Sequence, residues 1–283
     1  MNVGGSFYVG EVHDALADFE RRPTVFDGLQ YDVYVAGSGP AILVFPEIPG
    51  ITPDVADFAR RVIDAGFTAF VPSFFGTPGK PMTNGYAART ISRQCVNRQF
   101  LAFARSQRAP ITDWMAKLVT QAHAECGGPG VGVVGMCFTG NFALGLAVDP
   151  AVLVPVLSQP SMPFGVSKAH RADLHVAPDD LAAVKRRAAD EDLCVIGLRF
   201  TNDPLVPAER FARLRAEFGD AFIGVEIDSS KGNPHGYEQL PIRCSPPNTD
   251  ETPRARHIKR TNWYLTISAR NCCKNRLNDF DEY

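Results

Sequence analysis

Cys137 is the residue of this chain best placed to act on a substrate. It stands within Gly135-Met136-Cys137-Phe138-Thr139-Gly140, with the apolar run Val131-Gly132-Val133-Val134 before it and a helical pattern, Asn141 to Val148, after it. A nucleophile held on a sharp strand-to-helix turn needs small flanking residues, so that strand and helix can close around it. Gly135 and Gly140 supply them. A thiol needs only a modestly lowered pKa to become a nucleophile, and the start of the following helix turns its positive dipole end toward the sulfur. The plain alternative is a buried structural cysteine after a core strand, common among free cysteines. The order strand, Gly, Cys, Gly, helix favours the nucleophile.

Three further residues with suitable chemistry fall where strands end. Glu47 directly follows the apolar run Ala41 to Pro46, and Asp203 follows Leu198-Arg199-Phe200 and precedes Pro204-Leu205-Val206-Pro207. His235 lies within Gly232-Asn233-Pro234-His235-Gly236-Tyr237, after the final strand. Open α/β sheets gather ligands and catalytic groups at the carboxyl ends of their strands. The chain order Cys, Asp, His is that of hydrolase triads in which the acid orients the histidine and the histidine takes the nucleophile's proton. Singly, an Asp before Pro reads as a turn or helix cap and a loop His as a solvated surface group. In order and at strand ends, they favour catalysis.

The elements that would position these residues alternate strands with helices from Leu29 to Thr201, which predicts a mostly parallel, twisted sheet with helices on both faces. Strands are expected over Leu29 to Val35, Ala41 to Phe45, Phe67 to Val71, the run entering the elbow, Ala151 to Leu157, Leu193 to Phe200 and Ala221 to Ile227. Helices are expected over Pro53 to Ala65, with Thr52 as cap and Gly66 as stop, and over Thr90 to Arg105, Thr112 to Cys126, Pro178 to Ala189 and Pro207 to Phe218. Residues 1–28 read as an N-terminal extension and 29–240 as one domain. From Pro241 to Tyr283 there is no glycine, no valine and no amphipathic period, so no helix to cover the last strand is visible. That segment, 241–283, reads either as disordered or as shifted out of frame, since a neighbouring frame across Ile242 to Pro246 can spell His-Ser-Val-Leu-Thr. In the second case the histidine of the shifted frame is absent from this polypeptide, and His235 is a bystander or a substitute.

Composition narrows the class. A chain of 283 residues suits one large α/β domain, and 45% apolar residues are ample for its core. The net charge of −2 argues against nucleic-acid or membrane-surface partners, which would want a basic stripe. No apolar run approaches the ~20 residues that span a bilayer, and no basic region followed by a hydrophobic stretch opens the chain. Seven cysteines without framework spacing suit a reducing compartment, so a cytoplasmic protein, monomeric or weakly dimeric, is expected. Cys272-Cys273 is no metal signature, and neither CxxC nor HExxH occurs.

These motifs together resemble the dienelactone hydrolase family, small α/β-hydrolases with a Cys, Asp, His triad. The likeness covers Leu29 to Ile227 and rests on Phe45-Pro46-Glu47-Ile48-Pro49-Gly50, the Cys137 elbow, Arg199 to Pro207, and His235-Gly236-Tyr237, which is similar to the family's His-Gly-aromatic segment. The resemblance implies an ester or lactone hydrolase with Cys137 as nucleophile, Asp203 and His235 completing the triad, and Glu47 holding the resting thiol neutral or taking its proton. It further implies an oxyanion hole from the backbone N–H groups of Ile48 and Phe138. Arginines hold the substrate carboxylate in such enzymes; Arg89, Arg93 and Arg98 are the candidates, Arg89 and Arg93 being spaced for one helical face, with a solvated face as the alternative. The family has glycine where this chain has Thr139, which is expected to crowd the elbow. No metal or organic cofactor is implied, and the partner is a small-molecule ester or lactone. The rival readings are an impaired hydrolase fold that binds a small molecule or a protein, and a thiol redox sensor, which would want a resolving cysteine nearby.

Overall fold

Leu43, Val44 and Phe45 are consecutive apolar residues, a pattern that suits a strand covered on both faces. The computed structural model, which describes residues 14–94, 110–161, 167–191 and 193–234, bears this out. Leu43 and Phe45 pack into one core with Phe70, Val133, Trp114 and Phe142. Val44, between them, packs into a second core with Ala69, Val71 and Val134, and with Val55, Ala56, Phe58 and Ala59 of the helix Pro53–Asp64. Successive strand side chains point to opposite faces, so each apolar strand feeds both cores.

Eight strands form one sheet: β1 (Glu20–Phe26), β2 (Leu29–Gly37), β3 (Ala41–Phe45), β4 (Thr68–Pro72), β5 (Val131–Met136), β6 (Val152–Ser158), β7 (Val195–Phe200) and β8 (Phe222–Ile227). Their spatial order is β1-β2-β4-β3-β5-β6-β7-β8. β2 runs antiparallel to β1 and β4, and every pairing from β4 to β8 is parallel. This is the α/β-hydrolase fold. The order β4-β3-β5 reverses direction at β3, and its right-hand neighbour β5 carries the elbow, so the ends of β3 and β5 meet at a topological switch point.

The helix Pro53–Asp64 begins as the sequence predicts, with Thr52 Oγ1 accepting from Val55 N at 3.4 Å. Other expectations shift. Residues 20–26, assigned by sequence to an N-terminal extension, instead form the edge strand β1, joined to β2 through Asp27 and Gly28, both at positive φ. A two-residue Asp-Gly turn of this kind is the tight hairpin connection. The strand hides in sequence because it is charged and holds Pro23, which an edge strand tolerates. The helix expected from Thr90 runs over Asn84–Gln94; residues 95–109, which would complete the expected span, lie outside the described residues, as do 235–283 with the anticipated tail. Among the described residues no helix is long and apolar enough to cross a membrane.

Candidate active site

Cys137 sits at φ +54°, in the left-handed region that side chains with a Cβ avoid. Such a conformation persists only where the surroundings over-determine it. Three sets of contacts do so. The Ser161 N–H donates to the Cys137 carbonyl at 3.0 Å. A Cβ at Gly135 would come within 2.2 Å of the Thr139 carbonyl oxygen, and one at Gly140 within 2.8 Å of Pro160 Cα, so neither position accepts a side chain.

The third set corrects the expectation for Thr139. Its side chain is fully buried and, rather than crowding the turn, ties it to the sheet. The Thr139 hydroxyl accepts from Met136 N at 2.8 Å and donates to the Phe45 carbonyl at 2.8 Å. The carbonyls of Met136 and Pro46 lie at 2.9 and 3.3 Å. The elbow is thereby bonded to the end of β3, where the Glu47 segment starts.

Cys137 as a residue is half-buried, but its thiol is enclosed by protein, and the sulfur lies 2.8 Å from Ser161 Oγ. Burial pushes its pKa up to about 11, and the neighbouring carboxylate of Glu47 adds to that shift. The Ser161 hydroxyl and the backbone N–H of Phe138 pull the other way, while Asp203 reinforces the rise. The helix-dipole acidification expected from sequence is therefore outweighed, because loss of water and two nearby negative groups both disfavour a thiolate.

Asp203 is held by its own loop. Its Oδ1 accepts from Leu205 N at 2.8 Å, and its backbone bonds to Phe200 and Val206 close the turn. Burial raises its carboxyl pKa, against the pull of the Leu205 and Val206 N–H groups and of Arg199. Arg199, itself buried, donates to the Val206 carbonyl at 2.7 Å and to Glu226 at 2.8 Å, fixing the β7 end on which Asp203 stands.

The structure thus brings Cys137, Glu47, Asp203 and Phe138 together. Ile48 follows Glu47, half-buried and packed against the first core. His235 lies outside the described residues, which reach Pro234. Arg89 is exposed on the helix Asn84–Gln94, and Arg93 lies one turn further along it. Among the described residues no group of three or more His, Cys, Asp or Glu could hold a metal ion. Ser161 was missed by sequence. It follows β6 as Glu47 follows β3, so the strand-end rule could have found it.

The family model for the dienelactone hydrolase family matches residues 26–261. Among solved structures, a dienelactone hydrolase-like promiscuous phosphotriesterase from metagenomic libraries is similar at 19% identity, TM-score 0.55, over 88% of this chain and 97% of its own. The structure of a Klebsiella pneumoniae protein that carries the dienelactone hydrolase name is similar at 14% identity, TM-score 0.53, over 88% of this chain and 96% of its own. At such identities these structures speak for the fold alone. No curated protein matches the sequence. With the family model spanning most of its length, this chain belongs to the dienelactone hydrolase family.

Proposed function

We propose that the protein hydrolyses a small carboxylic ester or lactone through Cys137. The observation that carries this reading is a thiol on a left-handed strand-to-helix turn whose ionisation responds to two carboxylates, Glu47 and Asp203, on separate strand ends. Turns strained in this way cluster at functional sites.

The reaction follows from these roles. His235, oriented by Asp203, takes the thiol proton as the sulfur attacks the ester carbonyl, and a carbon–sulfur bond forms. The oxyanion so created accepts from the N–H groups of Ile48 and Phe138. Collapse breaks the carbon–oxygen bond, and His235 returns the proton to the leaving alkoxide. Water, activated by the same base, then hydrolyses the thioester and restores the thiol. Glu47 keeps that thiol neutral between turnovers, and Arg89 and Arg93 receive an anionic end of the substrate.

Turnover of p-nitrophenyl acetate tests the central role. Cys137→Ala should abolish it, whereas undiminished activity would leave a hydrolase fold that does other work.

A further inference from the structure

The segment leaving β6, Ser158-Gln159-Pro160-Ser161, takes no part in the reaction outlined above, yet it is among the most firmly held near the elbow. Gln159 N–H donates to the Leu198 carbonyl of β7 at 2.8 Å. Pro160 packs against Gly140, at the start of the elbow helix Gly140–Leu146. Arg210, buried in the helix Ala208–Phe218, donates through Nη1 to the Pro160 carbonyl at 2.5 Å and through Nε to the Asp173 carbonyl at 2.8 Å. Ser161 itself is buried and touches Cys137 twice, its N–H on the carbonyl at 3.0 Å and its Oγ on the sulfur at 2.8 Å.

We propose that Ser161 is the positioning residue of the nucleophile, a hydroxyl fixed by the Arg210-anchored loop that holds the Cys137 sulfur in place and donates to it once its proton has left. A hydroxyl suits both states of the sulfur. In the resting thiol the S–H donates to Ser161 Oγ; after deprotonation the O–H turns about its Cβ–Oγ bond and donates to the thiolate, with no heavy atom moved. Around this sulfur burial and two carboxylates oppose ionisation, so the groups that favour the thiolate, Ser161 O–H and Phe138 N–H, carry the balance. Ser161 acts on Cys137 and not on the substrate. The inference rests on Cys137 being the nucleophile.

The test is the pH dependence of iodoacetamide alkylation at Cys137, read by mass spectrometry of its peptide, in the native protein and in Ser161→Ala and Ser161→Thr. Losing one hydrogen bond to a charged sulfur should move the Ser161→Ala profile to higher pH by about one unit, which at about pH 8 reads as about tenfold slower alkylation. Ser161→Thr restores the hydroxyl and should return the profile toward the native one. An unchanged profile in Ser161→Ala, or an equal shift in both variants, would overturn the proposal. Esterase turnover of Cys137→Ala, measured separately, decides whether the nucleophile itself is misassigned, since the alkylation profile does not depend on turnover.

Discussion

With its pKa at about 11, the Cys137 thiol is ionised in only about one molecule in ten thousand at neutral pH. A thiol kept neutral resists alkylation and oxidation, because the thiolate is the reactive form in both. The carboxylate of Glu47 contributes to that restraint, and its removal has a definite sign. Glu47→Gln takes a negative charge from beside the sulfur, lowers the thiol pKa and should speed alkylation by iodoacetamide several-fold at neutral pH. An unchanged rate would leave Glu47 as a strand-end carboxylate without influence on the thiol. At this scale the placement of Cys137, Glu47 and Asp203 at strand ends was legible because flanking glycines and strand ends are written in the order of residues. The direction of the thiol's shift was not, since a helix start can be read from sequence but the exclusion of water around a sulfur cannot. Ser161 escaped notice for a related reason: Pro-Ser after a strand looks like any loop, and its meaning comes from a contact with a residue 24 positions away.

Between the elements, the elbow depends on a side chain that is not part of the chemistry. Thr139 joins the β5 turn to the end of β3, and so fixes the distance between the sulfur and the Glu47 segment. Thr139→Val keeps the shape and removes the hydroxyl, leaving the part-buried Met136 N–H and the buried Phe45 carbonyl short of a partner. The expected cost is about 1–3 kcal/mol, visible as a lower melting temperature. Esterase turnover should fall with it; a variant as stable and active as the native protein would show that the glycines hold the elbow unaided. A second tie is Arg187, whose Nη1 donates to the carbonyls of Ala147, Asp149 and Val152, binding the far end of the elbow helix to the start of β6. Sequence indicated most of the sheet, because buried parallel strands are uninterrupted apolar runs such as Val152 to Leu157. It missed β1, where an edge position makes charge and proline acceptable, and it started the helix Asn84–Gln94 six residues late because Gly85 and Tyr86 break the apolar period there.

For the molecule as a whole, one buried histidine sets how folding responds to acid. His175 lies fully buried beside Asp173, Arg210 and His170, and burial lowers its pKa from 6.5 to about 4, with Arg210 and His170 adding to the drop and Asp173 opposing it. The folded chain therefore binds fewer protons than the unfolded one between those values, and stability is lost as pH falls through that window, by at most about 1.4 kcal/mol per pH unit from this group. The carboxyls of Asp18 and Glu217, held low by Arg60 and Lys185, withdraw their support only at lower pH, once acid reaches the ordinary carboxylate range. Melting temperature should thus decline from about pH 6.5 toward pH 4, and His175→Gln should flatten that decline; an unaltered slope would assign it to other groups. The left-handed turn at Cys137 bears on the same free energy from another side. At an ordinary helical or extended position glycine is less stable than alanine by about 0.5–1 kcal/mol, but at φ +54° the order should invert, because a Cβ is strained there by about 1–2 kcal/mol. Cys137→Gly should melt above Cys137→Ala, since both lack the thiol and differ only in the strained Cβ. If Cys137→Gly also melts above the native protein, the side chain at this turn is held at a cost in stability that glycine would recover, as strained positions at functional sites are.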